Sequence, residues 1–195
     1  VAVGSGVTVR LDETDLARLL EHAVERANQV LLGYARKHSE EAADMGSTLT
    51  LVVVEGNRAT VAHVGDSRAY LWRNGWLRQL TEDHSVPGAL LKQGKITPEE
   101  ARDHPHRNIL YRALGLKPGL EVDIYPSLAL RHGDALLLCS DGLWDMVAPE
   151  EALASFLTPE TSPLVICRRM VEAANEAGGE DNITAVLVRV EQRDA

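Results

Sequence analysis

Asn74-Gly75 stands between two short runs, residues 68–73 and 76–80, rich in aromatic and aliphatic side chains. Both positions of that dipeptide tolerate positive φ, which makes it a strong hairpin signal. A second two-residue turn, Gly56-Asn57, separates a Leu-, Val- and Thr-rich run at 48–55 from another at 58–64. Turns this short cannot carry a parallel crossover, so the four consecutive runs read as strands paired antiparallel. Any fold for this chain must be built around them.

The flanking segments supply helices. Residues 12–37 place Leu16, Leu19, Leu20, Ala23, Ala27, Val30, Leu31 and Tyr34 at spacings of three and four, one buried stripe of a helix capped by Asp12 or Thr14. Beyond the hairpin, residues 83–114 change character, with Pro87-Gly88, Gly94 and His104-Pro105-His106 punctuating short helical pieces. There Thr97-Pro98-Glu99-Glu100 combines an N-cap, a first-turn proline and a capping-box acid. Strand signals return at 121–130 and 134–140, and Pro149-Glu150-Glu151 opens a short helix. A further helix over 162–177 stops at Gly178-Gly179. Residues 182–190 are apolar on both faces and read as a central strand. The fold class is α+β, with antiparallel sheets in the middle and helices outside, in one domain over residues 1–195.

Three aspartates lie where apolar strands meet loops beside glycine: Asp66 in Val64-Gly65-Asp66-Ser67-Arg68, Asp141 in Leu138-Cys139-Ser140-Asp141-Gly142, and Asp181 in Gly178-Gly179-Glu180-Asp181-Asn182. Each is also an ordinary turn sequence, in which the short side chain bonds the backbone. Brought together, the three would repel one another and resist ionising. A hard divalent cation removes that penalty, since oxygen ligands suit magnesium, manganese and calcium. The pattern points to metal-assisted chemistry on an anionic substrate.

Composition narrows the partners. The formal net charge of −9 argues against a broad nucleic-acid surface and against anionic membranes. No apolar run approaches the length of a membrane span, and the first residues lack the pattern of a signal peptide. Cys139 and Cys167 sit in apolar contexts and read as buried free thiols, which suits a reducing cytoplasm. Their spacing offers no cysteine-based zinc site.

Met45-Gly46-Ser47-Thr48, the run Ala62-His63-Val64-Gly65-Asp66-Ser67-Arg68-Ala69-Tyr70, and Leu80-Thr81-Glu82-Asp83-His84-Ser85 follow one another in the chain. Gly133-Asp134, Ser140-Asp141-Gly142-Leu143-Trp144-Asp145 and Gly179-Glu180-Asp181-Asn182-Ile183-Thr184 complete the series. Over roughly residues 45–190 the order resembles that of bacterial metal-dependent serine/threonine phosphatases of the type 2C, or PPM, family. The resemblance implies an α-β-β-α architecture, a central antiparallel β-sandwich flanked by helices, with metals in a cleft at one end. It implies Asp141 and Asp181 as ligands of one catalytic Mn2+ or Mg2+ ion, and Asp66 as ligand of a more weakly held ion shared with Asp141. Gly142, Asn182 and Arg68 take supporting places, with Arg68 orienting the Asp66 turn rather than touching substrate. Residues 85–108 resemble the flap beside the cleft that influences substrate choice. Phosphorylated proteins, a serine/threonine kinase and its substrates are the implied partners.

One departure is large. Family members usually carry an Arg and an Asn-Glu-Asp cluster on a first strand, then an Asp-Gly-Met-Gly-Gly-like segment whose aspartate bridges two metals. Nothing before Met45 matches either segment, so the chain is expected to lack roughly 45–50 residues of the family domain, judged from domain size, and to hold fewer than the family's two or three ions. No catalytic residue is assigned. His63, His84, His104, His106 and His132 are candidate proton donors, each with a plain structural reading as well. The leading function is hydrolysis of phosphoserine and phosphothreonine by a metal-activated water, which needs no covalent enzyme intermediate. The alternative is a truncated or degenerate phosphatase-like module that binds a partner without turnover. A third reading is an enzyme completed by strands from another chain.

Overall fold

The computed structural model describes residues 12–42 and 45–192. The chain runs α1 (Glu13–Lys37), α2 (Ser39–Ala42), β1 (Leu49–Glu55), β2 (Arg58–Val64), β3 (Arg68–Arg73), β4 (Trp76–Gln79), α3 (Val86–Lys92), α4 (Pro98–Arg102), β5 (Asp123–Ala129), β6 (Ala135–Cys139), α5 (Asp141–Trp144), α6 (Glu150–Phe156), α7 (Pro163–Glu176) and β7 (Ala185–Arg189). The strands form two antiparallel sheets, ordered β1-β2-β5 and β4-β3-β6-β7.

Alternation along the strands decides the layers. Ala59 of β2, Leu71 of β3 and Leu136 of β6 meet in one buried cluster that joins the sheets face to face. The opposite face of β3 and β6 presents Tyr70, Trp72, Leu137 and Cys139 to Leu153, Ile166 and Met170 of α6 and α7. On the far side, Leu16 and Leu20 of α1 pack on Ala62 of β2. The sequence of layers is α-β-β-α, as the resemblance implied.

Local chemistry explains the ends of these elements. The Asp12 carboxylate accepts from the Asp15 amide at 2.7 Å and caps α1. At α4, Thr97 and Glu100 close the capping box reciprocally. Asn74 and Gly75 have φ of 53° and 84°, the hairpin conformation that their types favour.

Three expectations need correction. All the pairings are antiparallel, but β2 and β3 do not form a hairpin with each other. β2 pairs with β1 and β5 and is buried on both faces, so the chain crosses to the other sheet through Gly65-Asp66-Ser67. Among the described residues β7 lies at a sheet edge rather than in the centre, and Val186 and Val188 are exposed. Helix α1 buries Leu16, Leu20, Val24, Asn28 and Ala35, whereas Leu19, Val30 and Tyr34 face outward. The four-residue spacing through Asn28 faces the sheet, because Asn28 finds polar partners there: its amide donates to the Lys117 carbonyl and its oxygen accepts from Gly115 N–H. Both cysteines are free, Cys139 buried and Cys167 half-buried.

Candidate active site

The crossing between sheets brings Asp66 to the mouth of an open cavity of about 430 Å³, which Asp141 also lines. Its walls come from the flap, through Pro87, Leu91 and Arg102, and from the segment after β6, through Trp144 and Glu150. Asp141 opens α5, where its carboxylate accepts from Gly142 N–H at 2.9 Å. Leu143, wholly buried in the helix-side core, anchors that turn. Truncating such a side chain typically costs about 2–5 kcal/mol, so the Asp141 backbone is fixed by packing.

Asp181 is exposed on the neighbouring turn, and its carboxylate accepts from Asn182 N–H at 2.6 Å. The two turns are stitched together. Ser140 Oγ donates to the Asn182 carbonyl at 2.9 Å and accepts from Thr184 N–H at 3.0 Å. Gly142 is required at this seam, since a methyl group there would sit 2.6 Å from the Asn182 oxygen. Asn182 therefore supports the turn through its backbone carbonyl.

Charge is frustrated across this surface. Burial, then the carboxylates of Asp141 and Asp83, push the Asp66 carboxyl up to about 6. Burial likewise raises Asp141, with Asp181 and Asp145 adding to it. Asp66 and Asp141 form one interacting pair, and Asp141 and Asp181 another. Among the described residues no group of three His, Cys, Asp or Glu side chains stands close enough to hold a metal ion alone. The arrangement fits a water-rich hard cation held by one or two carboxylates, which is how magnesium is usually bound. It does not form a closed cage of protein ligands.

Arg68 lines the same cavity, and each of its three nitrogens bonds a protein partner. Nε and Nη2 grip Asp83 at 3.0 and 2.7 Å, and Nη1 reaches Tyr70 Oη at 3.1 Å. Its guanidinium stacks on Trp144 at 3.5 Å from the ring centre, and Trp144 Nε1–H donates to the Asp66 carbonyl at 3.0 Å. Arg68 thus packs against the indole that holds the Asp66 carbonyl. Sequence reading missed Trp144, Asp83 and Arg107. The flap residue Arg107 reaches within 3.6 Å of Asp145 and 3.7 Å of Glu180, each close in sequence to an expected ligand. Its position in the flap was the available signal.

No histidine among the described residues lines the cavity. His63 and His84 are buried, and burial holds both below the ordinary imidazole range, His63 at about 4. His104 accepts from the His106 amide, and His132 accepts from the Gln192 amide.

A family sequence model described as protein phosphatase 2C matches residues 3–174. The chain belongs to the protein phosphatase 2C family. It is 40% identical over 181 residues to the serine/threonine phosphatase stp of Listeria welshimeri, covering 93% of this chain and 71% of that protein. The serine/threonine phosphatase of S. agalactiae superposes with a TM-score of 0.86 at 34% identity, over 95% of this chain and 75% of the other. The catalytic domain of the phosphatase PstP, solved with two manganese ions, superposes with a TM-score of 0.79 at 34% identity, over 95% and 74% of the two chains. The type 2C match begins at residue 3, so α1 lies inside it, whereas the recognisable motifs begin at Met45. An amphipathic helix carries periodicity but no motif.

Proposed function

We propose that this chain carries the metal-dependent hydrolysis of phosphoserine and phosphothreonine in phosphoproteins. The observation that carries the reading is the Asp66–Asp141 pair. Two half-buried carboxylates face one open cavity; burial raises both, the charge of Asp141 raises Asp66 further, and that of Asp181 raises Asp141, so the site favours positive charge. Asp66, Asp141 and Asp181 are the proposed ligands, Mn2+ the proposed cation by likeness to the manganese-bound PstP domain, and Mg2+ its natural substitute. When bound, such a cation neutralises charge on phosphoryl oxygens and lowers the pKa of water. The chain's own residues hold the carboxylates in place: Trp144 and Arg68 fix the Asp66 turn, and Ser140 fixes the Asp181 turn to Asp141. Arg102 and Arg107, from the flap side, supply positive charge beside the cavity that suits a phosphorylated side chain.

Family membership favours turnover over a binding-only module. Proteins phosphorylated by a serine/threonine kinase, in the cytoplasm, are the proposed substrates. Among the described residues, no helix is long and apolar enough to cross a membrane. The test is release of phosphate from a phosphothreonine peptide in Mn2+. Activity that chelation removes and Asp141→Ala abolishes supports the reading. A chain that binds the peptide without releasing phosphate overturns it.

A further inference from the structure

The loop after β4 holds a buried imidazole whose two nitrogens look in different directions. His84 Nδ1 lies 3.0 Å from the Gly65 amide, and Nε2 lies 3.0 Å from Asp123 Oδ2. A backbone N–H can only donate, so Nδ1 is the bare, accepting nitrogen and Nε2–H donates to Asp123. Arg112 Nη1 also bonds Asp123 and holds that carboxylate in place; Nη1 lies 3.1 Å from His84 Nε2 as well, but both are donors in this tautomer, so each bonds the carboxylate rather than the other. The His84 backbone amide in turn donates to the Gly65 carbonyl at 2.7 Å. His63 approaches the same carbonyl from within β2, with Nε2 at 3.0 Å. Gly65 is therefore gripped at both ends of its polar backbone. Its φ of 113° and its contact with Thr48 leave no room for a side chain.

Gly65 immediately precedes Asp66. His84 immediately precedes Ser85, which caps α3 at the root of the flap. The flap's returning segment also docks here, with Tyr111 N–H donating to the His84 carbonyl at 3.0 Å. We propose that His84 is a positioning residue: its Nδ1 bond to the Gly65 amide aims the Asp66 carboxylate at the cation cavity and ties that aim to the base of the flap. His84 does not serve as the proton donor, because it is 2% exposed and both nitrogens are engaged. The inference rests on the phosphatase reading only in taking Asp66 as a cation ligand.

Two measurements test it. In the diamagnetic, cation-free or Mg2+ form of the wild-type chain, a 15N–15N coupling across the hydrogen bond is expected between the Gly65 amide and His84 Nδ1, with Nδ1 unprotonated. A protonated Nδ1, or no coupling, overturns the bond. The second measurement is Mn2+ affinity by titration calorimetry in two substitutions that split the imidazole. His84→Asn keeps an acceptor where Nδ1 stood, and His84→Gln keeps a partner for Asp123 instead. Loss of a group that orients a metal ligand typically weakens affinity about 10- to 100-fold, the loss expected for His84→Gln, while His84→Asn stays within about threefold of wild type. Equal affinities in all three proteins, or equal losses in both variants, overturn the positioning role. A wild-type chain that binds no Mn2+ sinks the phosphatase reading, whereas the clamp is judged by the coupling alone.

Discussion

Asp66 and Asp181 sit on turns built from similar residues, yet the fold treats them very differently. The Asp66 turn is half-buried, its preceding glycine is packed against Thr48, and its carbonyl is held by Trp144. The Asp181 turn is exposed, and it is fastened to its surroundings chiefly through Ser140. The contrast teaches where restraint is needed. A solvated carboxylate such as Asp181 can relax toward an arriving cation at small cost. A carboxylate that feels the charge of Asp141 in a partly dry cleft turns away unless its backbone is held, and relief then comes only from a proton or a cation. The fold pins hardest the charge that is least comfortable.

Four substitutions, two of them set against a partner on the Asp181 turn, probe this contrast. Asp141 faces both turns, so Asp141→Ala is expected to reduce Mn2+-dependent release of phosphate from a phosphothreonine peptide by about a thousandfold, equivalent to roughly 4 kcal/mol of lost charge stabilisation. A loss below about tenfold by steady-state assay would remove Asp141 from the centre of the scheme. Gly65→Ala is next, because both φ and space forbid the methyl group. It is expected to cost about 2–4 kcal/mol in urea unfolding, against about 1 kcal/mol for Gly179→Ala on the exposed turn. Equal costs would erase the difference between the turns.

Trp144→Phe keeps an aromatic face for Arg68 but loses the donor to the Asp66 carbonyl. Calorimetry should show Mn2+ affinity falling about tenfold, or roughly 1.4 kcal/mol, with a smaller change for Ser140→Ala. The reverse order would place the control at the Asp181 turn. The smallest effect has the opposite sign. The Asp66 carboxyl titrates near 6 in the folded chain against an ordinary 3.8. Its ionisation therefore costs the fold nothing below about pH 4, and the full penalty is present above about pH 6. In chelated, cation-free protein, Asp66→Asn should raise stability by about 1 kcal/mol at pH 7.5, and the gain should vanish below pH 4. Destabilisation at pH 7.5 in thermal unfolding would show that the carboxylate is not frustrated.

Much of this was legible where local chemistry alone decides structure. Asn74-Gly75, the Thr97–Glu100 capping box and the cap of α1 each depend on residues within four positions of one another; the first two have the expected form, and of the two cap candidates the structure uses Asp12, not Thr14. The Gly65-Asp66-Ser67 crossing was not legible as a crossing, because a hairpin and a step between sheets both use a glycine at positive φ. Only the burial of β2 on both faces separates them. Asn28 does not show itself as part of the buried helix stripe, because its partners, Gly115 and Lys117, lie almost ninety residues away in the chain. The same holds at the site. Asp66, Asp141 and Asp181 announce themselves beside glycine, while Asp123, Arg112 and Tyr70 acquire their roles only when β5, the flap's return and β3 come together.

The indole that steadies the Asp66 carbonyl has one more consequence. Of the chain's three tryptophans, Trp76 is 79% exposed on a hairpin and Trp72 is buried in the helix-side core, so Trp144 alone lines the cavity with Asp66 and Asp141. Manganese is paramagnetic and quenches nearby excited indoles, whereas magnesium is silent. With the proposed cation bound at Asp66 and Asp141, the emission of Trp144 would be a native optical gauge of its occupancy, read in the unlabelled protein and isolated from the other two by substituting them with phenylalanine.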